Sequence, residues 1–325
     1  MKKLTLLFLT LLSGGLFAQN LVRNGSLENT GNCPITDTVF SNYVNPWTFY
    51  KGDPDFYHPC GFPGSDSATN NALPFDGDGF AGIDVYGLQG VNFVREYLHG
   101  ELKKPLEEGK FYRVSFYVLP RNNDVKGDSY GINNIGMLLT DTVVDSIPPG
   151  NVIPATPQVV AKDPITQVNY WTPICGIIKA KGGERYITIG NFTQDAETDA
   201  VPLENASNPS TAYYMIDYVE VLENDLPQLP ADTVICQEGR IDLRVAGPNI
   251  SVLWSDESTS SNFIITKPGL YTAEISNGIC SFTDSIQVDG VNCEECVTYA
   301  PNAFTPNGDG RNDEFIITPI CDSDG

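Results

Sequence analysis

One stretch of the sequence has the pattern of a catalytic serine. Gly127-Asp128-Ser129-Tyr130-Gly131 matches G-x-S-x-G, the nucleophile elbow in which a serine follows a buried strand and precedes a helix. Here the preceding residues 121–126 are mostly polar, and both histidines, His58 and His99, come before Ser129, which is the reverse of the order in those hydrolases. A turn explains the match better, so we predict no catalytic residue and no enzyme activity.

The carboxylates are too numerous to identify a catalytic pair. A glycosidase needs two of them placed across a sugar, but this chain of 325 residues has 41 Asp and Glu against 19 Lys and Arg. The formal net charge of -22 repels phosphate backbones, so we predict no nucleic-acid partner. We interpret the acidic side chains as a solvated surface.

A second candidate for chemistry is PNAFTPNGDGRNDEF, residues 301–315. Read as a calcium loop, it places Asn307, Asp309, Gly310 and Asp313 at the third, fifth, sixth and ninth positions. The first and twelfth positions of that motif carry a carboxylate and a bidentate Glu, and neither is present here. Asn-Gly and Asp-Gly pairs are also strong turn formers, so the stretch fits a turn followed by a strand.

Aromatic residues near the N-terminus are the predicted ligand-binding side chains. Trp47 and Tyr50, followed by Phe56 and Tyr57, lie in turn-rich sequence, where flat rings could stack on sugars or peptides. The alternative is that Trp47 and some of the other rings cap the core of their domain.

The first residues predict export. A positive start, an apolar run over Leu4–Leu12 and the Ala18-Gln19 junction are typical of a cleaved signal peptide, residues 1–18. The run is too short to span a bilayer, and no later segment is long enough to be membrane-spanning. We therefore predict an extracellular or outer-membrane-surface location.

Eight cysteines in an exported chain indicate disulfides. We predict one pair, Cys236 with Cys280, which would close a long loop worth about 3–4 kcal/mol in the chain-entropy model. Cys293 and Cys296 form a C-x-x-C pattern with no helix pattern after it, which favours structural disulfides over a redox or zinc site. Six cysteines are left without an assigned partner: Cys33, Cys60, Cys175, Cys293, Cys296 and Cys321.

The elements that must position all these residues are short strands. Segments such as Tyr112–Val118, Tyr186–Ile189 and Tyr213–Val221 alternate with period two, and long helical periodicity is absent. We predict an all-β protein with a jelly-roll β-sandwich over 19–225, which fits many strands separated by frequent Gly and Pro.

A Pro-containing linker, residues 226–230, is predicted to separate the jelly roll from a second domain. Residues 231–290 have a Cys, a central Trp254, a Tyr and a second Cys among short strands, an arrangement that predicts an immunoglobulin-like sandwich. We interpret this second domain as a spacer or adhesive unit.

Three strand segments carry a resemblance to a known family. Leu21–Glu28, Phe111–Val118 and Tyr214–Val221 resemble the opening, central and closing strands of galactose-binding-like jelly rolls such as carbohydrate-binding modules of the CenC type. The resemblance implies glycan binding and a structural calcium that joins the first and last strands. Its matching ligands here would be Glu28 and Asp217.

The stretch PNAFTPNGDGRNDEF resembles the start of the gliding motility-associated, or type B, C-terminal sorting domain of Bacteroidetes cargo proteins of the type IX secretion system. The resemblance implies the type IX machinery as a partner, and residues 291–325 as the start of a β sorting domain truncated at Gly325. The motif residues are Pro301, Asn302, Phe304, Thr305, Pro306, Asn307, Gly308, Asp309, Gly310, Asn312 and Asp313.

These observations lead to one main functional hypothesis and two alternatives. The main hypothesis is a secreted or cell-surface, non-enzymatic protein that binds a glycan or another extracellular ligand, such as a surface protein, through its jelly roll. One alternative is a structural or adhesin component of the surface coat or gliding machinery, and the other is a secreted hydrolase that uses Ser129.

Overall fold

The computed structural model describes residues 19–31, 33, 43–49, 52, 54–60, 72–88, 95–123, 127–144, 152–224 and 226–292, together with the backbone of 296–299 and 318–321. Within these ranges the regular structure is β-strand apart from one short 3-10 helix, Asp195–Glu197, which confirms the all-β fold class. No helix in the described ranges is long and apolar enough to cross a membrane. The chain divides into two compact units, Met1–Asp225 and Leu226–Gly325.

The first unit is built from two five-stranded antiparallel sheets. Strands consecutive in sequence alternate between the sheets over most of the chain, which is the jelly-roll topology. The first sheet has the order β1 (Thr48–Phe49), β4 (Leu98–Glu101), β10 (Tyr186–Asn191), β7 (Ile135–Thr140) and β8 (Val159–Val160). The second sheet has the order β2 (Asp55–Tyr57), β3 (Phe80–Gly87), β12 (Thr211–Glu223), β5 (Phe111–Pro120) and β9 (Thr172–Lys179). A small additional sheet pairs β6 (Tyr130–Ile132) with β11 (Ala200–Pro202).

The core of the first unit lies between the two sheets. Successive side chains of a strand point to opposite faces, and in β5 the side chains of Val114, Phe116 and Val118 are buried in the core cluster. Ile187 and Ile189 of β10 belong to the same cluster, so residues of both sheets share one apolar interior. The side chains between these positions on β5 face outward, away from the core.

The second unit has the strand arrangement of an immunoglobulin-like sandwich. Its four-stranded sheet has the order β13 (Thr233–Cys236), β18 (Ser281–Val291), β17 (Gly269–Ser276) and β15 (Ser251–Trp254), with β13 parallel to β18. Opposite it, β14 (Ile241–Arg244) pairs with β16 (Asn262–Ile265). Trp254 stacks on Phe263 with ring centroids 4.5 Å apart, so the central tryptophan holds strands of both sheets in one core.

The predicted disulfide between Cys236 and Cys280 is wrong. Cys236 is paired with Val291 at the end of β18, whereas Cys280 directly precedes Ser281, where that strand begins. At about 3.3 Å per residue the two cysteines lie about 30 Å apart, while disulfides need Cα atoms within about 7 Å. Both are disulfide-bonded, so each has another partner.

One disulfide of the first unit is now assigned. Cys33 and Cys60 are bonded, with their Cα atoms 5.6 Å apart and a sequence separation of 27. The bond joins the segment after the first strand motif to the segment that follows β2.

Residues 291–325 are described only in part. The backbone of β19 (Cys296–Tyr299) pairs antiparallel with that of β20 (Thr318–Cys321). The sorting motif 301–315, the signal peptide 1–18 and Tyr50 lie outside the described residues. The predictions made for them stay predictions.

Replacement of Trp254 by alanine tests the core of the second unit. Trp254 is 2% exposed, so Trp254→Ala should lower the unfolding free energy of this unit by about 3–5 kcal/mol. Its neighbour Leu253 is 44% exposed, and Leu253→Ala should change that free energy by less than about 0.5 kcal/mol. Urea unfolding followed by circular dichroism measures both, and equal effects of the two substitutions would contradict the alternation of β15.

Candidate functional site

Three of the four predicted ligand-binding rings are buried, which corrects the sequence-based expectation for them, while Tyr50 lies outside the described residues. Trp47, Phe56 and Tyr57 are 1%, 0% and 1% exposed, so their faces cannot stack on a ligand. The indole N–H of Trp47 donates to the carbonyl of Asn24 at 2.9 Å. Trp47, directly before β1, and Phe56 of β2 pack in the core between the sheets, whereas Tyr57 lies in a buried layer on the outer side of the second sheet. The alternative, that Trp47 and some of the other rings belong to the core, is correct for Trp47 and Phe56.

A group of partly exposed aromatic side chains lies instead on the outer face of the second sheet. We call Phe75, Tyr117, Trp171 and Tyr218 the aromatic patch. Phe75 is 41% exposed and stacks on Tyr117, with ring centroids 3.6 Å apart and planes 16° from parallel. Tyr218 lies 5.6 Å from Phe75, and Trp171 lies 6.5 Å from it, edge-on. The patch therefore presents several ring faces and edges within one small area.

A second apolar layer supports the patch. Outward-facing side chains of β2, β3, β5 and β12 form a buried cluster on the outer side of the sheet, against which Trp171 packs. The indole N–H of Trp171 donates to the carbonyl of Leu73 at 2.9 Å, which fixes the ring at the edge of this layer. The layer consists of Tyr57, Phe80, Leu119, Tyr213 and Met215.

A buried polar network fixes the tyrosines of this layer. The hydroxyls of Tyr57 and Tyr213 both donate to one carboxylate oxygen of Asp55, at 2.9 and 2.6 Å. The guanidinium of Arg121 lies 3.5 Å from the centre of the Tyr213 ring and forms an ion pair with the buried Asp128. Because the hydroxyls of both tyrosines are hydrogen-bonded, the layer is a rigid base for the rings above it.

Asp217 places Phe75 on the patch. Its carboxylate oxygen Oδ2 accepts the N–H of Phe75 at 2.8 Å and that of Asp76 at 3.1 Å, and Oδ1 accepts the N–H of Tyr218 at 2.6 Å. The register of β12 against β5 shifts between Asp217 and Glu220, so a bulge lies at this position. One side chain thus positions two of the four rings.

The environment of Asp217 raises its pKa to about 7. Burial is the largest cause, because it disfavours the charged form. The three amide donors act in the opposite direction, and the negative charge of Glu28 raises the pKa further. Asp217 therefore changes charge near neutral pH unless a cation lies beside it.

Charged side chains border the patch. Glu220 raises the pKa of the Tyr218 hydroxyl through its negative charge, which is the largest cause of that shift. Burial raises the pKa of Glu220 itself, and the nearby Arg113 opposes this shift. A ligand on the rings would therefore meet hydrogen-bonding groups at one edge.

The two predicted calcium ligands have different surroundings. One oxygen of Glu28, one of Asp78 and a ring nitrogen of His58 lie within 4.8 Å of one another. Asp217 is not in this group, although its pKa responds to the charge of Glu28. Calcium at Glu28 and Asp217 stays a prediction.

A separate cavity of about 200 Å³ lies on the outer face of the first sheet. Burial lowers the pKa of His99 in its wall to about 3, so this imidazole is neutral at physiological pH. Glu101 beside it forms ion pairs with Arg23 and Arg185. The cavity is lined by Pro46, Thr48, His99, Gly100, Glu101, Val143, Val144 and Tyr186.

The G-x-S-x-G match does not form a nucleophile elbow. Ser129 is fully buried, and the residues after it form strand β6 rather than a helix. The strand and helix context that exposes such a serine is missing.

The patch residues that sequence reasoning missed had a partial signal. Tyr117 alternates with Phe116 and Val118, so period two places it on the outward face once the core face is known. Phe75 had no such signal, because it lies in a loop whose position depends on Asp217, about 140 residues away in sequence.

No family model and no curated protein matches this sequence.

This chain has weak similarity to several solved structures. The K1 cleaved adhesin domain of Lys-gingipain from Porphyromonas gingivalis is 16% identical over 55% of this chain and 90% of that chain, with a TM-score of 0.30. The adhesin domain of Epf from Streptococcus pyogenes is 10% identical over 84% and 98% of the two chains, with a TM-score of 0.26.

A further similar structure contains the CBM22-1 and GH10 modules of endo-1,4-β-D-xylanase 10B from Clostridium thermocellum, complexed with xylohexaose. It is 11% identical over 67% of this chain and 34% of that chain, with a TM-score of 0.30.

The raised pKa of Asp217 predicts a pH-dependent stability. An unfolded Asp titrates near about 3.9, so between about pH 4 and 7 the folded state holds a proton that the unfolded state has lost. The stabilisation from this proton falls as the pH rises, by at most about 1.4 kcal/mol per pH unit. As the pH rises from 5 to 8, the unfolding free energy of wild type should therefore fall relative to that of Asp217→Asn by on the order of 2 kcal/mol.

Urea unfolding with EDTA present measures this difference. Asp163→Asn, at an exposed position, is the matched control and should follow the wild-type curve. If the Asp217→Asn curve were also parallel to wild type across this range, Asp217 would be ionised throughout.

Proposed function

We propose that this chain is an exported, non-catalytic binding protein whose N-terminal jelly roll binds a glycan through the aromatic patch. The single observation that carries the proposal is the partly exposed stack of Phe75 on Tyr117, with Trp171 and Tyr218 beside it. Contiguous exposed apolar patches of this kind mark interaction sites on protein surfaces.

The chemistry of the patch suits a sugar. A pyranose ring has apolar C–H faces and hydroxyl edges, and an amphipathic aromatic surface complements both. The flat rings offer stacking faces, while the hydroxyl of Tyr218 and the carboxylate of Glu220 offer hydrogen-bonding partners at the edge. Because the rings rest on a packed layer, binding would need little ordering of side chains.

A protein ligand is the competing occupant. Aromatic side chains are also the dominant contacts of protein interfaces, and an adhesin or surface-coat component would use the same patch for another protein. The hydrogen-bonding groups at the edge of the patch, the Tyr218 hydroxyl and the Glu220 carboxylate, favour a glycan, because they lie within the small area of the rings.

The proposed location is the cell surface or the medium. Residues 1–18 support entry into the export pathway, and the motif in residues 301–315 supports recognition by type IX secretion machinery. The immunoglobulin-like unit would then separate the binding domain from the surface.

Substitutions in the patch test the binding site. Phe75→Ala and Tyr218→Ala should each weaken binding to a polysaccharide that the wild-type chain binds. The expected loss is at least tenfold, or about 1.4 kcal/mol, since each substitution removes a stacking face. A glycan array identifies the polysaccharide, and affinity electrophoresis of the full chain measures the loss.

Tyr186→Ala is the matched control, because this tyrosine lines the cavity on the opposite sheet. It should leave the affinity unchanged. Loss of binding in Tyr186→Ala alone would move the site to that cavity, and absence of any glycan ligand would end the proposal.

Deletion of residues 301–315 tests the export route. In a type IX-competent host, the intact protein, with any sequence that follows Gly325, should reach the surface or medium, while the deletion variant should accumulate in the periplasm. Cell fractionation with immunoblotting measures the distribution. Equal surface levels of both proteins would exclude this motif as the signal.

A further inference from the structure

Glu28, His58 and Asp78 come from three separate segments and meet at one place. One possible ligand atom from each lies within 4.8 Å of the other two. His58 follows β2, while Asp78 lies in the loop that leads into β3. We call these three residues the Glu28 cluster.

The cluster is held together before any ligand arrives. Oε1 of Glu28 accepts the N–H of Asp78 at 3.0 Å and that of Gly79 at 2.7 Å, which orients the carboxylate. Gly77 adopts a positive φ of 61°, and a Cβ at this position would collide with the Glu28 carboxylate. The loop is therefore closed around Glu28 at a distance that only glycine permits.

The disulfide between Cys33 and Cys60 restrains the segments that carry Glu28 and His58. Cys33 lies five residues after Glu28, and Cys60 lies two residues after His58. Their bond ties the two segments covalently, so His58 and Glu28 stay near each other in the folded chain. Ligands ordered in advance lose less entropy when an ion binds.

We propose that the Glu28 cluster binds a divalent transition-metal ion of the zinc type in preference to calcium. Calcium takes six to eight oxygen ligands, whereas an imidazole nitrogen with carboxylate oxygens suits zinc and related ions. Asp217, the further carboxylate that a calcium site would need, is already bonded to three amides and lies outside the cluster.

Metal binding would break one hydrogen bond of the His58 ring. Nδ1 of His58 accepts the N–H of Cys60 at 3.2 Å, so this nitrogen is unprotonated in the neutral ring. Coordination through Nδ1 replaces that bond directly. Coordination through Nε2 moves the ring proton to Nδ1 and also breaks it.

A bound ion would act on the patch as well. Asp78 is three residues from Phe75 in the same loop, so an ion at the cluster would fix the loop to the segment closed by the disulfide. This consequence rests on the proposed function, but the metal site does not.

Isothermal titration of the full chain with zinc chloride, and separately with calcium chloride, tests the site. The protein is first treated with EDTA, dialysed in non-reducing buffer and alkylated, so that no free thiol contributes. Wild type should bind one zinc ion at least tenfold more tightly than calcium. His58→Ala and Asp78→Asn should each weaken zinc binding at least tenfold, while Asp163→Asn, exposed and outside the cluster, should not.

Asp78 is exposed, so Asp78→Asn is expected to fold, and circular dichroism checks both variants. Zinc binding that is unchanged in both variants would overturn the proposal. So would one-site calcium binding tighter than zinc binding and insensitive to His58→Ala, which would instead support an oxygen-only calcium site. Absence of zinc binding to wild type would overturn it as well.

Discussion

The buried carboxylate of Asp217 is the interaction on which the exposed face of the first unit depends. A charged oxygen taken out of water must be matched by donors, and here the donors are the amides of Phe75, Asp76 and Tyr218. The requirement to satisfy one carboxylate therefore determines where a loop lies and which rings meet. Glu28 acts in the same way on the end of that loop, so two carboxylates hold a segment that has little apolar burial of its own.

The two faces of the second sheet pack against different layers of side chains. Its inner face contributes to the apolar interior shared with the first sheet. Its outer face carries a second buried layer, in which the hydroxyl of Tyr213 passes over Gly82 where no Cβ could be accommodated. That layer gives the aromatic patch a packed base. A surface of this kind is suited to a ligand that is recognised by shape and ring faces.

The sequence was sufficient for several of the strands and for the fold class. Period-two alternation identified β5, β10 and β12, and the spacing of Trp254 among short strands indicated the immunoglobulin-like sandwich. Prediction failed for Trp47, Phe56 and Tyr57, because aromatic residues near turns occur both in cores and at surfaces. It also failed for Cys236 and Cys280, because sequence separation does not reveal that they lie at opposite ends of β18.

What the sequence by itself determined is local: the alternation of each strand, the turn residues between strands and the acidic charge of the whole chain. These follow from neighbouring residues, because side-chain direction in a strand depends only on the backbone. The tertiary structure alone decided which rings are exposed together and which carboxylates meet. Phe75 and Asp217, or Glu28 and Asp78, are brought together only when the sheets pack, since burial and charge pairing depend on residues far apart in the chain.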